Sequence, residues 1–124
     1  MRMWMVDETK MCRKHLLGEH VETHMLLGTL KRKKSISGYI KNKLIQPLSI
    51  KERHDKLSKE LNRRGYNHRS ELDFSNDIIK YLKEEELNFK VNSENSLNEL
   101  ITRCPECRKN FFKGVKNDNQ KIRN

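Results

Sequence analysis

Five residues in one short stretch, His15, Glu19, His20, Glu22 and His24, set imidazoles and carboxylates at helical spacing. On a helix His20 and His24 share one face, and His15, Glu19 and Glu22 share another. These are the side chains that accept and donate protons near neutral pH. The segment His20-Val-Glu-Thr-His24 differs from the zincin pattern His-Glu-x-x-His in the place of its Glu and in its spacing. The plain alternative is a solvated helix face of mixed charge. A second constellation is Cys104-Pro-Glu-Cys107. Such a pair is a frequent half of a zinc site, and Cys12 with His15, three apart on one helical face, could supply the other half. The alternative is two free thiols in a turn, with Cys12 buried as a small apolar residue. A redox pair lacks the strand-to-helix setting it needs. The third candidate is the amino group of the chain. Arg2 is too large for the usual removal of an initiator methionine, so the Met1 amine is expected to stay. Burial among Met3, Trp4 and Met5, beside the Arg2 cation, would favour its neutral form. A neutral amine attacks a sugar carbon and can form a Schiff base.

The elements that must position these groups read as helices. From about Thr9 to Lys33 there is no proline, and Leu17, Val21, Met25 (or His24) and Gly28 recur at helical spacing, with Leu16, Leu27 and Leu30 beside them. That stripe is expected to be the buried face. Lys31, Arg32, Lys33 and Lys34 close the helix where cations suit its dipole. Ser35 to Gln46 reads as a connector. Ser49 and Glu52 have the spacing of a capping box, opening a helix that buries Ile50, His54, Leu57 and Leu61 and ends at Gly65 after Arg63 and Arg64. Phe74 to Leu87 reads as one helix and Ser93 to Arg103 as the last core helix. No repeat and no convincing strand is visible. The fold expected is all-α, a compact single domain of about three main helices plus short helical connectors, with the apolar N-terminal arm threaded into the bundle. The domain is expected over 1–112, followed by a basic polar tail over 113–124 without fixed structure.

Composition narrows the partners. The chain has 124 residues, with 27 Lys and Arg against 17 Asp and Glu, a formal charge of +10, and only 34% hydrophobic residues. That balance implies a polyanion, nucleic acid first and an acidic membrane surface second. The plain alternative is a solubilising surface. No apolar run is long enough to span a bilayer, and no signal peptide is visible. Three cysteines, an odd count, argue against a secreted disulfide framework and for a cytoplasmic or nuclear setting.

Arg2-Met-Trp-Met-Val-Asp7, followed by Met11-Cys-Arg-Lys-His-Leu-Leu-Gly-Glu-His-Val-Glu22, resembles the pyrimidine dimer DNA glycosylase family. His15-Leu-x-x-Glu19-x-x-Glu22 is similar to its first-helix motif, and Arg64-Gly65-Tyr66-Asn67 to its helix-ending motif. Arg53-His54, Leu57, Glu60 and His68 also fit. The resemblance covers roughly residues 1 to 107 and is strongest over 1–30 and 50–70. It implies an all-helical enzyme without cofactor, acting on double-stranded DNA with ultraviolet lesions or abasic sites. The amine of the first residue attacks the anomeric carbon, the base leaves, an imine links protein to DNA, and β-elimination cuts the strand. The amine falls on Met1 and the required glutamate on Glu22. Arg2 and His15 match residues beside the site. Arg13, Lys14, Lys31, Arg32, Lys33, Lys34, Arg63 and Arg64 would grip phosphates. Glu19, His20, His54 and His68 are candidates for the surroundings of the site. Val21 and Met25 stand where family members can carry arginines, and Ser96 and Leu100 where they can carry basic residues. No membrane and no obligate protein partner are implied, and a monomer is expected. The competing reading is a non-catalytic DNA-binding module with a structural zinc on Cys12, His15, Cys104 and Cys107.

Overall fold

A computed structural model describes residues 1–66 and 71–113. Among these residues it is all-α, with no strand. The helices are α1 (Arg13–Lys31), α2 (Ser37–Lys41), α3 (Ile50–Arg63), α4 (Glu84–Leu87) and α5 (Ser93–Arg103). A sixth, α6, covers 105–113. His68 and the expected tail beyond Lys113 lie outside the described residues.

α1 and α3 are the frame. Leu16, at the start of α1, shares a cluster with Leu57 and Leu61 at the end of α3, together with Val6, Met11, Leu100 and Cys107. Leu26, Leu27 and Leu30, at the end of α1, share another with Ile50 at the start of α3, together with Met3, Ile36, Ile45 and Leu82. The two helices therefore run antiparallel. Between the apolar clusters lies a buried polar layer: Glu19, His20 and Thr23 from α1, Arg53 and His54 from α3. The N-terminal arm crosses from one cluster to the other. Met3 is fully buried in the first and Val6 is buried in the second. The Met3 amide donates to the Leu44 carbonyl at 2.7 Å.

Four sequence expectations need correction. The stripe Leu17, Val21, Met25 and Gly28 is not the buried face of α1. Val21 and Met25 are 51% and 53% exposed, while Leu16, Glu19, His20, Thr23, Leu26, Leu27 and Leu30 face inward. The inward face carries polar Glu19, His20 and Thr23 among its leucines, so it has no continuous apolar periodicity. The expected helix from Thr9 is interrupted: a 3-10 turn, Glu8–Lys10, is capped by the Asp7 carboxylate, and extended Met11 and Cys12 precede α1. Ser49 does not cap α3 with its side chain, because its backbone lies outside the extended geometry such caps use (φ −105°, ψ 4°). Its Oγ accepts from Gln46 Nε2 instead. Phe74 to Leu87 is not one helix but a 3-10 turn, Asn76–Ile79, and α4. The Glu86 carboxylate takes the Lys83 amide at 3.0 Å and restarts the chain there, where Glu84 to Glu86 suit a helix N-terminus.

The end of α3 follows expectation. Gly65 adopts φ +93°, and the Tyr66 amide reaches back to the Leu61 carbonyl at 3.0 Å. A side chain at Gly65 would be strained by that backbone, not by crowding.

Candidate active site and metal-ligand clusters

Glu22 stands midway along α1, half-buried on the edge between the polar layer and the exposed stripe. Its Oε2 accepts a hydrogen bond from the backbone amide of Arg2 at 3.2 Å. That bond fixes the chain one residue after the Met1 amine, whose positive charge is close enough to act on the carboxylate. Burial pushes the Glu22 carboxyl above the ordinary carboxylate range, against the opposing pull of the Arg2 amide and the amino-terminal charge. The arm is held on its other side by Leu44 and Gln46, whose carbonyl and amide respectively meet Met3. A primary amine beside a half-buried carboxylate can serve nucleophilic attack and proton transfer together.

Arg2 builds the wall of this site. Its guanidinium lies 3.7 Å from the centroid of the Trp4 ring and pairs with Glu99 of α5. The hydrogen bond from Arg2 holds the Glu99 carboxyl below its ordinary range. Trp4 in turn meets His15 edge-on, with ring centroids 5.7 Å apart. Sequence reasoning does not single out Trp4 or Glu99 as functional. The lone tryptophan in an apolar arm is a signal for the first, and nothing in the local pattern points to the second.

The other expected residues separate into groups. Glu19 lies deep in the polar layer, gripped by Arg53 at 2.6 and 3.0 Å, and its charge acts on Glu22. His20, His24 and His54 form a cluster across α1 and α3, with His54 Nε2 3.1 Å from His24 Nε2 and His54 Nδ1 2.9 Å from Asp55. Arg63 and Arg64 both bind Glu60, and Arg64 also donates to the Glu8 and Thr9 carbonyls. Those two arginines are thus engaged by the protein itself. Arg13 stacks on Tyr66 and Lys14 is exposed, at one end of α1. Lys31, near Asp73, and exposed Arg32, Lys33 and Lys34 stand at the other. The exposed stripe with Val21 and Met25 runs between these basic ends.

His15 turns toward the cysteines. Its Nδ1 is 3.2 Å from Cys12 Sγ and 3.7 Å from Cys107 Sγ, and Cys12 Sγ is 3.8 Å from Cys104 Sγ. Two sets of side chains among the described residues therefore have ligand atoms within 4.8 Å of one another: Cys12, His15, Cys104 and Cys107, and His20, His24 and His54. No described helix is long and apolar enough to cross a membrane.

A family model described as pyrimidine dimer DNA glycosylase matches residues 1–74. That span holds the arm, α1, α2 and α3, and so both Met1 and Glu22. No curated protein and no solved structure matches the chain.

Proposed function

The chain belongs to the pyrimidine dimer DNA glycosylase family, and from that premise we propose a specific reaction for this DNA repair glycosylase. It excises cyclobutane pyrimidine dimers and cleaves the resulting abasic site, with the Met1 amine as nucleophile and Glu22 as its partner carboxylate. The observation that carries this reading is the bond from the Arg2 amide to Glu22, which ties the carboxylate to the residue next to the amine.

The amine lone pair forms a bond to the sugar C1′, and the N-glycosidic electron pair leaves with the base, which takes a proton. Glu22, as the carboxylate, offsets the positive charge that develops on the sugar. The nitrogen loses one proton, O4′ leaves C1′ with its bonding electrons and takes a proton as the sugar ring opens, and a protonated imine to C1′ results. Removal of a C2′ proton then expels the 3′ phosphate oxygen with its bonding electrons. Water hydrolyses the imine and frees the amine. Glu22 is the group placed to take and return these protons. A sugar carbon inside a duplex is reached only after local distortion and extrusion of a base. The two basic ends of α1 are placed to hold the phosphates on either side of that distortion.

Glu22→Gln is expected to abolish cleavage of dimer-bearing duplex while leaving DNA binding within about twofold. Acetylation of the Met1 amine is expected to do the same. Strand cleavage retained after acetylation would contradict the amine mechanism.

A further inference from the structure

We propose that Cys12, His15, Cys104 and Cys107 bind one structural zinc ion, which fastens the chain after α5 to the start of α1. The proposal does not depend on the glycosylase reaction, since it rests on residues outside the amine and Glu22.

The spacing fits the ion. A tetrahedral zinc with Zn–S near ~2.3 Å and Zn–N near ~2.0 Å requires sulfur pairs roughly 3.8 Å apart and sulfur–nitrogen pairs roughly 3.5 Å apart. Cys12 and Cys104 are separated by 3.8 Å, and His15 Nδ1 lies 3.2 and 3.7 Å from Cys12 and Cys107. Three sulfurs and one nitrogen fill all four corners, the closed arrangement of structural rather than catalytic zinc. A disulfide would use two of the three sulfurs and leave the third and the histidine facing it without purpose. Soft thiolates with one imidazole select zinc over the hard cations that prefer oxygen.

The surroundings suit thiolates as well. Zinc binding displaces three thiol protons to solvent, so three thiolates and one dication leave a net negative charge of one. Cys12 is the residue before α1 and Cys104 the residue before α6, so two helix N-termini converge on the cluster. The Cys12 amide donates to Cys107 Sγ at 3.2 Å, and the Cys107 amide faces Cys104 Sγ at 3.5 Å. Cys12 and Cys107 are buried, Cys104 and His15 half-buried. The link spans most of the described chain and joins α6, outside the family match, to α1 within it. Through the edge contact of His15 on Trp4, it also supports the wall on which Arg2 lies.

The test is metal content of the full chain purified under reducing conditions, without added chelator. One zinc per chain is expected. In the cobalt-exchanged protein, tetrahedral ligand-field bands and a sulfur-to-cobalt charge-transfer band are expected. Cys104→Ser, at the half-exposed corner, should weaken zinc binding at least tenfold. His24→Gln, in the histidine cluster, should leave one zinc in place. The wild-type cobalt spectrum keeps the test decisive even where Cys104→Ser fails to fold. Zinc below about a tenth per chain after addition of excess zinc chloride would overturn the proposal. So would a mass two daltons low from a disulfide, or zinc kept by Cys104→Ser and lost from His24→Gln.

Discussion

Glu22 is a carboxyl in a costly place, and the cost has a measurable sign. Burial raises its pKa, so it takes up a proton at higher pH than an ordinary glutamate. Ionisation as pH rises past the unfolded value therefore disfavours the folded state slightly, while the proposed reaction would need the ionised form. Glu60 is displaced the other way, first by its hydrogen bond from Arg63, and Glu99 likewise by Arg2. These two contribute stability above the unfolded carboxyl pKa and lose it as pH falls through their lowered values. Carboxyl-carbon NMR across a pH titration should show Glu22 titrating highest of the three and Glu60 and Glu99 below the ordinary range. The acid limb of single-turnover cleavage should follow Glu22. A Glu22 that titrates with the other two would contradict its buried position.

At the scale of elements, the polar layer between α1 and α3 sets the stakes. Glu19 and Arg53 are almost wholly buried and bound through two hydrogen bonds, with Glu8 a second, more distant acidic partner of Arg53 at 3.4 Å. Removing one partner of such a pair leaves a buried charge, at a cost of about 3–5 kcal/mol. Glu19→Ala is expected to lose that much in urea unfolding, and a loss below about 1 kcal/mol would show that the pair is not closed to water. Gly65→Ala should cost about 1 kcal/mol, from the positive φ alone. The same layer limits what can be read from the sequence. α3 is legible because Ile50, Leu57 and Leu61 keep a helical apolar face, and Gly65 marks its end. α5 is legible from Leu97 and Leu100, while its Asn92 cap is seen only in the structure. α1 is legible as a helix but not in orientation, since its inward face carries Glu19, His20 and Thr23 while Val21 and Met25 face solvent. The partners that make a buried Glu or His acceptable lie on α3, and spacing within one helix cannot show them. In the same way Glu22 and Met1 are legible through a resemblance, but Glu99 under Arg2 comes from α5 and has no local signature.

At the scale of the molecule, a charge of +10 is what a polyanionic partner would meet. α1 is 19 residues long, about 28 Å, with basic groups at both ends and Glu22 at its centre. At roughly 3.4 Å per base pair that length spans about eight pairs. Arg63 and Arg64 are bound to Glu60, so the proposed grip on phosphates would rest chiefly on Lys31, Arg32, Lys33 and Lys34 and on Arg13 and Lys14. Replacing the four residues 31–34 by alanine should lower the magnitude of the salt slope of DNA binding by up to about 3–4, near 0.9 for each phosphate no longer neutralised. An unchanged slope would place the DNA on another face. Were the DNA to lie across α1 as proposed, the exposed stripe of Val21 and Met25 would meet the duplex between the two basic ends, contributing buried area but no counterion release.

The most direct test of the central claim is a borohydride trap. Untagged protein is incubated with a duplex carrying one thymine dimer, the imine is reduced, and the adduct is located by mass spectrometry of the digested protein. The expected result is a covalent protein–DNA species whose added mass lies on residue 1, formed with the dimer duplex and not with undamaged DNA, and absent from Glu22→Gln. No adduct with either the dimer duplex or an abasic duplex, or an adduct on a lysine side chain, would contradict the amine mechanism.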